Sequence, residues 1–234
     1  MREGYNDNSA PVADTSYHVH ETILSMIQPG RGKAVDIGAG FGLLSKSVAD
    51  MGYDVTACEL DPVRLRHIRL LGLKCEAVDL DKRFPFKNAS FDLATCSDVI
   101  EHLISPYSFL SEVGRIVKKG GAVIISTPNI LGWYSRLKFL STGLYNNYFI
   151  DKDFEGEGYH ISPMHYQQLK WGLEKSGFEI TDIRSNQYSG LINLGNPKIF
   201  LASLFAMPFR VFMKPKNKAI LEGDILIIKA RKVR

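Results

Sequence analysis

Residues 35–42 read Val-Asp-Ile-Gly-Ala-Gly-Phe-Gly, and Glu59 closes the next apolar run. This layout predicts a short buried strand, Ala34 to Ile37, that turns on glycines into a helix opening near Gly42. Gly38, Gly40 and Gly42 let the backbone reverse tightly and approach a ligand without Cβ clashes. A second strand, Asp54 to Cys58, carries Glu59 to its C-terminal end. A carboxylate there can accept both hydroxyls of a ribose, as acidic residues do at the second strand of nucleotide-binding α/β folds. The glycines alone would also serve a plain chain reversal.

The pattern continues beyond this turn. A helix is expected over Tyr17 to Ile27, a third short strand ahead of Ala77-Val78-Asp79-Leu80, and a fourth over Ser90 to Thr95. Ser105-Pro106 reads as a helix start, with serine as N-cap and proline in the first turn. That helix should run to Val117 and be closed by Lys118-Lys119-Gly120-Gly121, because cations suit a helix C-terminus and glycine its left-handed cap. Ala122 to Thr127 is a β-branched fifth strand, stopped by Pro128-Asn129. A helix over Pro163 to Ser176, capped by Gly177, precedes a sixth strand from Phe178 to Ile183. Asp224 to Arg231 reads as the last strand. Such alternation makes an α/β fold, a mainly parallel sheet with helices on both faces.

Dinucleotide-binding folds follow G-x-G-x-x-G, which would need glycine where Leu43 stands. The D-x-G-x-G-x-G pattern instead resembles motif I of class I S-adenosylmethionine-dependent methyltransferases. The resemblance runs from about Lys33 to Asn129, through Ser90-Phe91-Asp92 and Val99-Ile100-Glu101-His102-Leu103. It implies a Rossmann-like methyltransferase sheet of about seven strands, mainly parallel, whose antiparallel last strand inserts between its two predecessors. It implies a single domain over 17–234 behind a flexible N-terminus at 1–16. That domain would carry an aromatic-rich substrate or lid insertion at about 130–162 and an apolar segment at 197–213. The implied cofactor is S-adenosylmethionine, with S-adenosylhomocysteine as product. Carried over residue by residue, Asp36 helps hold the turn and the amino-acid end of the cofactor. Gly38, Ala39, Gly40 and Gly42 shape the turn, Glu59 takes the ribose, and Leu60 beside it is also expected to bind the cofactor. Asp79 accepts from the adenine amino group, Leu80 packs on the ring, and Ser97 lies beside the cofactor. A carboxylate at position 36 would repel a diphosphate but suits a cation bearing sulfonium and ammonium groups.

Composition agrees with a single α/β domain. The chain has 234 residues, 45% of them hydrophobic, enough for a sizeable core. A net charge of +4 is too mild to imply nucleic acid, and no nucleic-acid partner is expected. Cys58, Cys75 and Cys96 lack metal-ligand spacing and read as reduced thiols, which suits a cytoplasmic protein, as does the lack of a signal-peptide pattern.

Methyl transfer is an in-line displacement that asks the protein to align the acceptor and exclude water. An oxygen or nitrogen acceptor also needs a base or metal to remove its proton. The catalytic candidates are His102, Glu101 and His160. Helical spacing would place Asp98, Glu101 and His102 on one face. Some members of the resembled family, among them small-RNA and quinone-pathway O-methyltransferases, carry E-x-x-E-H here and bind a divalent metal. Asp98 replaces the first Glu, so Asp98, Glu101, His102 and His160 could form a set suited to Mg, Mn or Zn. A metal-free role for Glu101 and His102 near the cofactor and substrate mouth is preferred. His165 is placed at the start of the following helix. His18 and His20 are placed on the first helix, solvated or packed as part of a lid.

The acceptor is less constrained. Cys96-Ser97-Asp98-Val99 does not match the signature of amide or exocyclic-amine methylation, so an oxygen of a small-molecule, glycan or lipid-linked acceptor is expected. Residues 199–213 are strongly apolar, flanked by Lys198, Lys214, Lys216 and Lys218. Too short and proline-broken to span a bilayer, they could lie on a membrane surface, cover the substrate mouth or form a homodimer contact. The phrase Leu221 to Ala230 resembles the end of bacterial methyltransferases of surface-polysaccharide and secondary-metabolite pathways. A nicotinamide-dependent oxidoreductase and a non-catalytic S-adenosylmethionine-binding protein are the rival readings.

Overall fold

β1 (Lys33–Ile37) is buried along all but its first residue because it lies inside the sheet. In the computed structural model, which describes residues 18–148, 160–186 and 218–234, it pairs in parallel with β2 (Asp54–Glu59) and β4 (Phe91–Cys96). From β1 the chain runs outward through α2 (Leu43–Asp50), β2, α3 (Pro62–Leu70) and the exposed edge strand β3 (Lys74–Ala77). It then returns to β4 on the other side of β1. The order in which strands are added thus reverses between the parallel neighbours β1 and β4, and ligands of open α/β sheets gather at such a switch point, beyond the strands' C-terminal ends.

The second half adds α4 (Pro106–Ile116), β5 (Val117–Pro128), α5 (Trp133–Thr142), α6 (Tyr166–Lys175), β6 (Phe178–Ser185) and β7 (Ile225–Lys232). A first helix, α1 (Val19–Ser25), precedes them all. The order is β3-β2-β1-β4-β5-β7-β6, with β7 antiparallel to both neighbours. This is the Rossmann-like mixed sheet expected, down to the inserted last strand.

Local chemistry explains the helix starts. Asp61 caps α3 by accepting from Val63 N at 2.6 Å, with Pro62 at the first position. His165 is the N-cap of α6, where it forms a capping box with Gln168, so its expected place at the start of that helix is correct. Ser105 holds the N-cap position of α4 without a side-chain cap bond; its N–H instead donates to Asp81 Oδ1 at 3.0 Å.

The pleat divides the core. Val35, Ile37, Val123 and Ile125 face α4 and α6, packing against Phe109, Val113, Leu169 and Leu173. Ala34, Leu93 and Ile124 face α1 and α2, packing against Val19, Ile23, Leu44 and Val48.

One expected boundary is wrong. Lys118 to Gly121 do not close α4; they lie within β5, where the pairing with β4 slips between Phe91 and Leu93. The helix ends because Val117 turns extended to pair with Phe91, and Lys118 then bonds Asp92 at 2.8 Å. The expected flexible stretch 1–16, the middle of the insertion and the whole apolar segment 197–213 fall outside the described residues. Among the described residues no helix is long and apolar enough to cross a membrane.

Candidate functional site

The glycine turn is held from beneath. Gly38 and Ala39 N–H both donate to Cys58 O at 2.9 Å, tying the turn to the end of β2. Gly38 has φ 73, and a Cβ there would run into Val99 Cγ2. Gly40 has φ 55, and a Cβ there would meet nothing within 4 Å. The turn therefore presents a backbone edge to open space. Glu59 stands beside it, its side chain only 11% exposed. Oε2 accepts from Gly40 N at 2.9 Å, and Oε1 accepts from Leu60 N at 2.8 Å and Asp61 N at 3.1 Å. The backbone thus fixes this carboxylate at the rim of the open space.

Asp36 lies one layer deeper. Its oxygens accept from Ser45 Oγ at 2.6 Å and Thr95 Oγ1 at 2.7 Å, joining β1, α2 and β4 under the turn. Burial pushes its carboxyl above the usual range, against the pull of those two hydroxyls. Asp79 sits on the opposite flank in solvent, where Lys82 pairs with it at 2.9 Å and holds its carboxyl below the usual range. Leu80 packs against the core and Leu60 is exposed. Ser97 Oγ lies 3.4 Å from Ser126 Oγ.

A second group forms past the end of β4. Ile100–His102 make a single 3-10 turn, too short to align residues along a helix face. Glu101 is fully buried, and its Oε2 accepts from Thr127 Oγ1 at 3.1 Å. Its backbone oxygen accepts from Ile161 N and Ser162 N at 2.9 Å each, and Ser162 Oγ donates to Leu103 O at 2.6 Å. These bonds zip residues 160–162 onto 101–103 and bring His160 against His102, ring centroids 4.7 Å apart. Tyr148 packs on the other side of His160 at 5.3 Å. One donor atom each from Glu101, His102 and His160 fits within 4.8 Å of the others.

The electrostatics of this group are unusual. Burial, then the charge of Asp98, pushes the Glu101 carboxyl well up. Burial, then His102, lowers His160 to about 4. Burial, then Glu101, pushes the Tyr148 hydroxyl up. Glu101 Oε1 and His160 Nδ1 are the buried side-chain polar atoms without a hydrogen-bond partner among the described residues. Such orphans are costly unless something else meets them.

Asp98 does not join this group. The expected shared helix face with Glu101 and His102 is wrong: Asp98 precedes the 3-10 turn with φ 52 and stands outside the Glu101–His102–His160 group, although its charge acts on Glu101. Its N–H donates to Ser126 Oγ at 2.9 Å, and Ser126 Oγ–H donates to Asp98 Oδ1 at 2.7 Å. Thr127, Ser126, Ser162 and Tyr148 had no assigned role in the sequence. Two hydroxyls closing a strand at the switch-point end of the sheet were the available signal.

Residues 35–125 match the family described as a methyltransferase domain. A ubiquinone biosynthesis O-methyltransferase of Xanthomonas oryzae pv. oryzae is 36% identical over 104 residues, 42% of this chain and 43% of that protein. The match thus spans less than half of that curated relative. A methyltransferase structure from Archaeoglobus fulgidus superposes with a TM-score of 0.61 at 17% identity, covering 91% of this chain and 94% of that one. The cyclase SpnF superposes at 0.56 and 18% identity, covering 90% and 79%.

Proposed function

We propose, on the premise that the chain belongs to the class I S-adenosylmethionine-dependent methyltransferase family, that it moves a methyl group from S-adenosylmethionine to an oxygen of an acceptor. We take that acceptor to be a small molecule, with glycan or lipid-linked hydroxyls inside the same proposal. The observation that carries the reading is the pairing of two built regions at one sheet switch point. On one side an open glycine turn is flanked by a backbone-anchored carboxylate; on the other stands a carboxyl–imidazole–imidazole group. The first suits an adenosine-bearing donor, with Glu59 for the ribose, Asp79 for the adenine edge and Gly38 to Gly42 for the amino-acid end.

Asp36 supports the turn from below through Ser45 and Thr95. In the reaction the acceptor oxygen forms a bond to the methyl carbon as the carbon–sulfur bond breaks, and the hydroxyl proton must leave. His160, lowered to about 4, is a poor proton acceptor near neutrality. His102 therefore takes the proton, while Glu101 and His160 hold its ring and the acceptor. The O-methyltransferase name of the Xanthomonas relative supports an oxygen acceptor. The SpnF likeness shows that this fold also serves other chemistry, so turnover must be measured.

The two orphaned donor atoms favour a second reading, in which Glu101, His102 and His160 hold a divalent cation. One carboxylate and two imidazoles fit Zn or Mn, and a neutral imidazole is the ligand form. When bound, such an ion would lower the pKa of an acceptor hydroxyl. Asp98 is not part of this set.

Calorimetric titration with S-adenosylhomocysteine tests the donor site. Wild type should bind, and Glu59→Ala should weaken binding by about tenfold to a hundredfold, the scale of hydrogen bonds to a charged group. Equal affinity in the variant would remove the ribose assignment. Radiolabel transfer to phenols, sugars and lipid-linked glycans, with EDTA and then with added Zn or Mn, identifies the acceptor class and separates the two readings.

A further inference from the structure

Consecutive residues of β5 send two nearby carboxylates to opposite faces of the sheet. Ser126 shares a face with Ile124, over α1 and α2, and Thr127 shares one with Ile125, over α4 and α6. Thr127 holds Glu101 on the acceptor side. Ser126, fully buried, grips Asp98 by both its backbone N–H and its carboxylate. The grip imposes φ 52 on a non-glycine residue, a conformation that persists where the surroundings dictate it. Through its charge Asp98 acts on His20 of α1, as Asp36 does, and also on Glu101. Val99, the next residue, rests directly against Gly38.

We propose that Asp98 is a specificity-determining residue of the donor site, whose carboxylate selects S-adenosylmethionine over S-adenosylhomocysteine by its attraction for the sulfonium. The inference rests on the donor reading above. The two ligands share adenine, ribose, ammonium and carboxylate, and differ in one methyl group and the positive charge it places on sulfur. Glu59 and Asp79 are assigned to the shared parts, so they cannot tell the ligands apart. Asp36 has both oxygens occupied by hydroxyls in the layer beneath the turn. Asp98 is the acidic residue at the end of β4 next to the turn, where a cationic sulfur would feel it and a neutral thioether would not. Its orientation would then limit inhibition by the spent product.

Affinities of both ligands, measured by calorimetry on wild type, Asp98→Asn and Ser126→Ala, test this. Asparagine keeps the shape and tolerates the left-handed backbone, so the substitution removes mainly the charge. Asp98→Asn should weaken S-adenosylmethionine by about tenfold or more and S-adenosylhomocysteine by less than about twofold. Ser126→Ala keeps the charge but loosens its aim, and should reduce the preference by about threefold. That second variant also carries the test should Asp98→Asn not fold. Equal losses for both ligands, or an unchanged preference in both variants, would overturn the inference while leaving the donor reading intact. Loss of Zn or Mn binding in Asp98→Asn with the preference unchanged would also overturn it, returning Asp98 to the Glu101 group. Wild type that binds neither ligand would bring down the donor reading and this inference together.

Discussion

The glycine-turn side, proposed above to hold the donor, and the Glu101–His102–His160 side, proposed to hold the acceptor, are built by different rules. The donor side comes from β1, β2 and the turns that leave them, and its decisive bonds are to backbone. Gly38 and Ala39 hang on Cys58 O, and Glu59 is held by the N–H groups of Gly40, Leu60 and Asp61. The acceptor side comes from side chains far apart in sequence. Glu101 is held by Thr127 on β5, and His160 is delivered by a segment zipped onto residues 101–103. A site made of backbone depends on chain conformation. One made of distant side chains depends on each partner, and can change its chemistry without disturbing the fold.

The sharpest way to break this comparison is at Gly38. Gly38→Ala adds a Cβ against Val99 at φ 73 and should cost about 3 kcal/mol or more in stability, from strain and overpacking together. Denaturant unfolding measures the cost, and donor binding should be lost with it. A stable variant that still binds S-adenosylhomocysteine would show that the turn is not conformation-limited.

On the acceptor side the opposite pattern is expected. His160→Ala should lower turnover by about a hundredfold or more while leaving the affinity for S-adenosylhomocysteine unchanged, since a group that positions the base and the acceptor acts on the chemical step. A parallel loss of donor affinity would mean the two sides are one coupled site. The smallest effect is expected at Thr127. Thr127→Val removes the hydroxyl that Glu101 Oε2 accepts from and should lower turnover by about tenfold. Thr127→Ser should restore most of it. If both variants lose activity alike, Thr127 serves packing rather than the carboxyl.

This division also explains what could be read from sequence. The glycine turn, Glu59 and the strand alternation were legible because their spacing is local and their meaning lies in backbone geometry. The place of His165 at the start of a helix was legible for the same reason. The helix face proposed for Asp98, Glu101 and His102 was not, because helical spacing assumes a helix and the chain makes only a single 3-10 turn there. What decides these carboxylates is the pleat of β5, which points Ser126 and Thr127 to opposite faces. No spacing within 98–102 records that. The close of α4 was misjudged because lysines and glycines that would suit a helix end serve a slipped strand pairing instead. His160 could be named from sequence, but its neighbours Tyr148 and Ser162 could not, since only the fold brings them together.

The place of β7 bears on the order in which the molecule matures. It lies between β5 and β6 yet comes after both in the chain, so that half of the sheet stays split until β7 arrives. On the ribosome, β1 to β4 and their helices can form a parallel sheet with the glycine turn while β5 still lacks its outer neighbour. Pairing that spans such sequence separations forms slowly. Ser126 and Thr127 lie opposite Ile227 and Leu226 of β7, so the hydroxyls that sort the two carboxylates are fixed last. A nascent chain would thus form the glycine turn and the Glu59 anchor before either Asp98 or Glu101 is oriented.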